Sequence, residues 1–272
     1  MRLRSGRPPD SVVSQLRELA RRSANGGDVL SGISDTWINN YVSWVSTAEK
    51  AIRHCLVDPD LDALYTPRYW AIRAADPASL RISELVWDES TWQSDRFNSM
   101  ADEIDDTVSR LRGDPSALVV VVDTNVFLHY QSLDNIDWSF VGASPVRIVI
   151  PIRVIEELDE KKRDRRDSVQ DRARKSLRWL SDRVLTDEPV VKIRDGVTVE
   201  VFVPTGRREL RLSADSEILE ACEVLEQFTG KRLALVTGDL GMQLKGMHYR
   251  GSTSGFDVKA LPDRYELSST GA

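Results

Sequence analysis

Cysteine is almost missing from this chain. Cys55 and Cys222 are the two among 272 residues, which excludes a disulfide framework and suits a reducing compartment. Long apolar runs are missing too: no stretch approaches the length of a membrane span, and the opening MRLRSGRPPDS lacks the apolar core of a signal peptide. The expectation is therefore a soluble, cytoplasmic protein with no membrane partner. Nor is there an excess of one charge. The net charge of −6 is spread evenly, with 14 basic and 17 acidic residues up to Arg112 and 23 and 26 beyond it, so any surface for nucleic acid has to be local. His54 flanks a helical stripe with no second His, Cys or carboxylate in register beside it and carries no metal role.

A length of 272 residues allows one large domain or two ordinary ones, and a hydrophobic content of 41% with seven Trp is enough for real cores. After Pro8-Pro9, with a cap expected at Asp10 or Ser11, Val12, Val13, Leu16, Leu19 and Ala20 recur at helical spacing until Asn25-Gly26-Gly27 stops them. Ser34 or Asp35 opens a longer helix with Trp37, Tyr41, Trp44, Val45, Ala48, Ile52 and Cys55 on one stripe. Residues 58–79, rich in Asp and Pro, predict a structured loop holding Tyr65, Tyr69 and Trp70. A last helix is expected from about Thr91 to Leu111, with Trp92, Phe97, Met100, Ile104, Val108 and Leu111 inward, before Gly113-Asp114-Pro115 breaks it. Five of the seven Trp precede that break, so residues 1–112 predict a small all-α domain that buries them.

Beyond the break, strands and helices alternate, which predicts an α/β fold with a parallel sheet flanked by helices. Leu118 to Val122 has no polar face and predicts a strand buried on both sides. Further strands are expected at Val146 to Ile150, Leu233 to Val236 and Val258 to Leu261, and a hairpin around Asp195-Gly196. Helices are expected from Ile152, over 163–185 and over 213–228. The carboxyl ends of parallel neighbours share one edge, where open α/β sheets bind ligands. Asp123 and Asp239 fall on that edge; Glu157 lies in the helix after the second strand, and Asp215 starts the helix leading back to the last.

Singly, each acid has a plainer task as a cap, a helix-dipole residue or a solvated side chain. Together, four carboxylates need a compensating charge. Hard divalent cations such as Mg²⁺ or Mn²⁺ supply it through oxygen ligands alone, and could activate water beside a phosphodiester.

In this order VVVVDTNVFLHY, IVIPIRVIEELDE, ADSEIL and LVTGDLGM resemble the four motifs of PIN-domain ribonucleases. DRARKSLRWL is similar to the Ala-Arg-containing helix of the branch sometimes fused to PhoH-type ATPases, although the absence of GxxxxGK[ST] leaves no ATPase half. The resemblance covers roughly residues 116–262, leaving the helical part without a family and 263–272 as a tail. It implies that Asp123, Glu157, Asp215 and Asp239 bind the metal and that Asn125 orients the set; Glu157 is chosen over Glu156 because it precedes Leu158, as in the motif. Many relatives carry a further acid shortly after the fourth, where this chain has Gly241 and Met242, which leaves the second metal position in question.

Lys161 to Arg178 holds nine basic residues against three acidic ones. With Arg207 and Arg208 it offers phosphate contacts, and Arg174 and Lys161 are the candidates within it. The expected activity is metal-dependent endoribonucleolytic cleavage of single-stranded RNA. The competing reading is a catalytically weak PIN-like module that binds RNA or protein. A phosphatase of the haloacid dehalogenase type would want a second Asp at Asn125. The resemblance further implies a possible homodimer and a possible antitoxin-like partner.

Overall fold

The computed structural model describes residues 3–4, 6–25, 34–57, 59–76, 81–114, 116–142, 145–184, 188, 190–203, 213–250 and 256–267. Contacts divide the chain into two units, Met1–Leu111 and Arg112–Ala272.

In the first unit, α1 (Pro9–Ala24) starts at Pro9 with no side-chain cap. Proline at the first helical position loses no hydrogen bond and has its φ preset, so Asp10 and Ser11 sit inside the helix rather than capping it. The stripes on α1 and on α2 (Ser34–Cys55) are buried largely as expected, including Leu16, Tyr41, Trp44 and Ile52. The stretch expected as a loop contains a helix, α3 (Pro67–Arg73). Thr66 Oγ1 accepts the Tyr69 N–H at 3.1 Å, and Pro67 occupies the first position, a start signal that works even in an Asp- and Pro-rich setting.

The last helix, α4 (Ile82–Arg112), begins nine residues before the expected Thr91. The reason lies in its inward face, where Glu89, Ser90, Gln93 and Ser94 are buried and interrupt the apolar period that marks a helix in sequence. Glu89 is satisfied by donors: Thr66 Oγ1 at 2.9 Å, Gln93 Nε2 at 3.1 Å and the Tyr41 hydroxyl at 3.3 Å. These polar residues take the core-facing side, so Trp92 turns outward, against expectation. Trp70, Trp87 and Trp92 are 53%, 64% and 42% exposed while Trp44 is buried, which corrects the expectation of a core that gathers the tryptophans.

The second unit is built on a mostly parallel sheet of β1 (Leu118–Val122), β2 (Val146–Pro151), β3 (Val190–Arg194), β4 (Val197–Phe202), β5 (Ala234–Val236) and β6 (Asp257–Lys259), in the order β3-β4-β2-β1-β5-β6. Only β3 runs antiparallel, joined to β4 through Asp195-Gly196. Helices α5 (Thr124–His129), α6 (Ile152–Lys161), α7 (Asp167–Val184), α8 (Ala214–Thr229) and α9 (Leu240–Arg250) complete the α/β unit. Val119 to Val122 and all of β2 are buried, as strands covered on both faces require. Val122 pairs with Val236 across β1 and β5, which aligns the residues that follow each strand.

Inside the sheet, Arg147 on β2 and Glu200 on β4 form a buried ion pair, Nη2 to Oε2 at 2.7 Å. Gly113, which ends the preceding helix at φ 48°, lies against the same guanidinium: a Cβ there would stand 2.3 Å from Arg147 Nη1. Both the backbone angle and the space demand glycine at this break.

The carboxyl edge of the sheet as a candidate active site

Asp123 follows β1 and is 3% exposed. It caps α5, with Oδ1 accepting from the Val126 N–H at 3.2 Å. Register puts Thr237, the residue after β5, beside it, and the Thr237 hydroxyl donates to Asp123 Oδ2. The same hydroxyl accepts the Asp239 N–H at 2.9 Å, so one threonine ties the two acids of this edge together. Burial pushes the Asp123 carboxyl up to about 6. The hydrogen bonds from Thr237 and from the Val126 and Asn125 N–H groups pull it back, and the nearby charge of Asp239 raises it slightly. Burial dominates because desolvation penalises only the charged form.

The other acids hold to local donors. Glu157, half-buried on α6, accepts from Thr124 Oγ1 at 2.5 Å, and Thr124 is the residue next to Asp123. Asp239 caps α9, its Oδ1 accepting the Met242 N–H at 2.9 Å. Asp215, in the first turn of α8, pairs with Lys245 Nζ of α9 at 2.6 Å. That hydrogen bond, with the charges of Asp215 and Asp239, raises the Lys245 ammonium. Hydroxyls and an ammonium thus link the set: Glu157 to Thr124, Thr124 next to Asp123, Asp123 through Thr237 to Asp239, and Lys245 in the field of Asp239 while holding Asp215. Asn125 lies half-buried in the first turn of α5.

The structure does not draw these acids to a point. Among the described residues no group of three His, Cys, Asp or Glu side chains could hold a metal ion. The donor set itself, all hard oxygen with a buried carboxylate at its centre, fits Mg²⁺ or Mn²⁺ and not a soft metal.

Thr124, Thr237 and Lys245 were missed from the sequence. The threonines sit beside motif acids, a signal present in DTN and TGD; Lys245 gave none, since its partner is 30 residues away. Of the expected phosphate contacts, Arg174 is exposed, 4.0 Å from Asp171, and Lys161 is 3.8 Å from Asp164. Arg207 and Arg208 lie outside the described residues. The same basic helix, α7, steadies the site through a different arginine: Arg172 Nη1 donates to Leu128 O at 3.0 Å, and Ser176 Oγ to Phe127 O at 3.1 Å, holding the carboxyl end of α5.

A mostly parallel α/β sheet with acids at its carboxyl edge defines a class of proteins that bind or process ligands there. Within that class, the family model for the PIN domain matches residues 120–254, and the second unit has the corresponding PIN-like α/β fold. No curated protein matches the chain. Among the described residues no helix is long and apolar enough to cross a membrane.

Proposed function

We propose that the protein is a metal-dependent endoribonuclease that hydrolyses phosphodiester bonds of single-stranded RNA. The observation that carries this reading is Asp123, buried at the end of β1 and joined through Thr237 to Asp239, within the segment that the PIN-domain model matches. Asp123, Glu157, Asp215 and Asp239 would hold Mg²⁺ or Mn²⁺. Such a cation supplies positive charge that activates water and stabilises the leaving oxygen. Thr124 and Thr237 orient the carboxylates, and Asn125 supports the set from the first turn of α5. Arg174 and Lys161 on the basic flank bind substrate phosphates, and Arg207 and Arg208 belong to the same proposal. The similarity of DRARKSLRWL to the PhoH-fused branch extends it to α7. A homodimer or an antitoxin-like protein partner is supported by the exposed Leu240, Leu244 and Met247 of α9, which recur at helical spacing on one side.

The test is cleavage of labelled single-stranded RNA with Mn²⁺ by the full chain. Asp123→Asn and Glu157→Gln should each lower the rate at least about a hundredfold, as loss of a group that holds the cation does. A parent that cuts nothing, or an Asp123→Asn variant as fast as the parent, refutes the reading.

Two observations favour a second reading, a binding module for RNA or protein: no three acids stand close enough to share an ion among the described residues, and Gly241 and Met242 come shortly after Asp239, where many relatives place another acid. Calorimetry separates the two, since a module without a working site releases no heat with Mn²⁺.

A further inference from the structure

The phenol of Tyr130 lies at the acidic edge without a task in the scheme above. Its backbone is held from both sides. The Tyr130 N–H donates to Val126 O at 3.3 Å, and Tyr130 forms an antiparallel bridge with Glu266, flanked by Gln131 N to Tyr265 O at 2.9 Å and Leu267 N to His129 O at 2.8 Å. Its ring rests on Gly238: a Cβ at that position would stand 2.8 Å from Tyr130 Cε2 and 2.9 Å from the hydroxyl oxygen. The hydroxyl is thereby placed against the Thr237-Gly238-Asp239 turn, which carries one acid and grips another. Asp123, Asp263 and Glu266 are the charges that reach it. The residue is half-exposed, and among the described residues no group hydrogen-bonds to this hydroxyl.

A phosphodiester approaching this edge meets carboxylates that repel it. A phenol donates a hydrogen bond without adding charge, and its oxygen, fixed by the strap of residues 265–267 and by the missing side chain at 238, loses little freedom on binding. We propose that Tyr130 is a substrate-binding residue, its O–H donating to a non-bridging phosphate oxygen of single-stranded RNA beside Asp123 and Asp239. The inference rests on the ribonuclease reading and deepens it by naming the donor that offsets the acids.

The test compares Tyr130→Phe with its parent in the full chain. Both carry Asp123→Asn so that RNA is not consumed, and binding is followed by the anisotropy of a fluorescein-labelled single-stranded oligouridylate. Phenylalanine keeps the ring on Gly238 and removes only the hydroxyl. Tyr130→Phe should raise Kd about tenfold, the size expected for one hydrogen bond to an anion, with an unchanged melting temperature. In the cleaving background it should raise KM by a similar factor and leave kcat within about twofold. Binding by Tyr130→Phe within twofold of the parent overturns the proposal, as does a parent that binds no RNA. Wild-type protein with Mn²⁺ on the same oligonucleotide reports separately on the ribonuclease reading: binding without cleavage sinks that reading while the comparison at Tyr130 still stands.

Discussion

Asp123→Asn should make the cation-free protein more stable at neutral pH and about 1 kcal/mol less stable in acid, where only the lost acceptor for Thr237 remains. Burial raises the Asp123 carboxyl from 3.8 to about 6 in the folded state. An acid raised in this way stabilises nothing when ionised. Below about pH 4 both states are protonated and there is no difference. Between about pH 4 and 6 the unfolded chain ionises first and stability falls, and above about pH 6 the full penalty is present, about 3 kcal/mol at 1.36 kcal/mol per unit.

Asparagine removes the charge but not the shape. Its carbonyl oxygen can still accept the Val126 N–H, while its amide group faces the Thr237 hydroxyl, whose proton then needs another acceptor, at a cost of about 1 kcal/mol. The net gain is about 2 kcal/mol at neutral pH, or roughly 4–8 °C in melting temperature for a unit of this size. Thermal melts of both proteins in chelator, at about pH 7.5 and about pH 4, measure it directly. A variant that melts below the parent at neutral pH, or whose advantage survives unchanged in acid, refutes the idea that a desolvated carboxylate sits at this edge. Added Mn²⁺ should then raise the parent's melting temperature by mass action and leave the variant's nearly where it was.

Three further outcomes are expected. Lys245→Gln frees Asp215 from the ammonium 2.6 Å away and should tighten Mn²⁺ binding by calorimetry; unchanged affinity would show that the pair opens without resistance. Glu200→Leu leaves the Arg147 guanidinium buried beside Gly113 without its carboxylate and should lower the stability in urea by about 3–5 kcal/mol, whereas a loss under about 1 kcal/mol would mean that water reaches the pair. Arg174→Ala should weaken RNA binding across sequences and reduce the slope of log Kd against log salt by about one; a slope equal to the parent's removes Arg174 from the phosphate contacts.

The strength of the local signals decides which parts of this protein could be read before folding. Five aliphatic residues ending on Asp123 specify a doubly buried strand and a cap, and Asp195-Gly196 specifies a hairpin, because those preferences reside in neighbouring residues. The same kind of signal, Thr66-Pro67, was present for α3 and went unread under a run of Asp and Pro. The start of α4 was hidden for a different reason: Glu89 and Gln93 are buried where the pattern calls for apolar residues, and their partners Tyr41 and Thr66 come from elsewhere in the chain.

The placement of acids at element edges was legible, but the contacts that govern their charge were not. Thr237 meets Asp123 only because Val122 and Val236 pair across two strands. Lys245 finds Asp215 from another helix, and Tyr130 settles on Gly238 from more than a hundred residues away. Sequence by itself determined the strands, the turns and which residues carry charge, since these follow from spacing and local propensity. Tertiary structure alone decided which carboxylate loses its water and which donor answers each one, because desolvation and hydrogen bonding depend on neighbours in space, and no pattern along the chain encodes those.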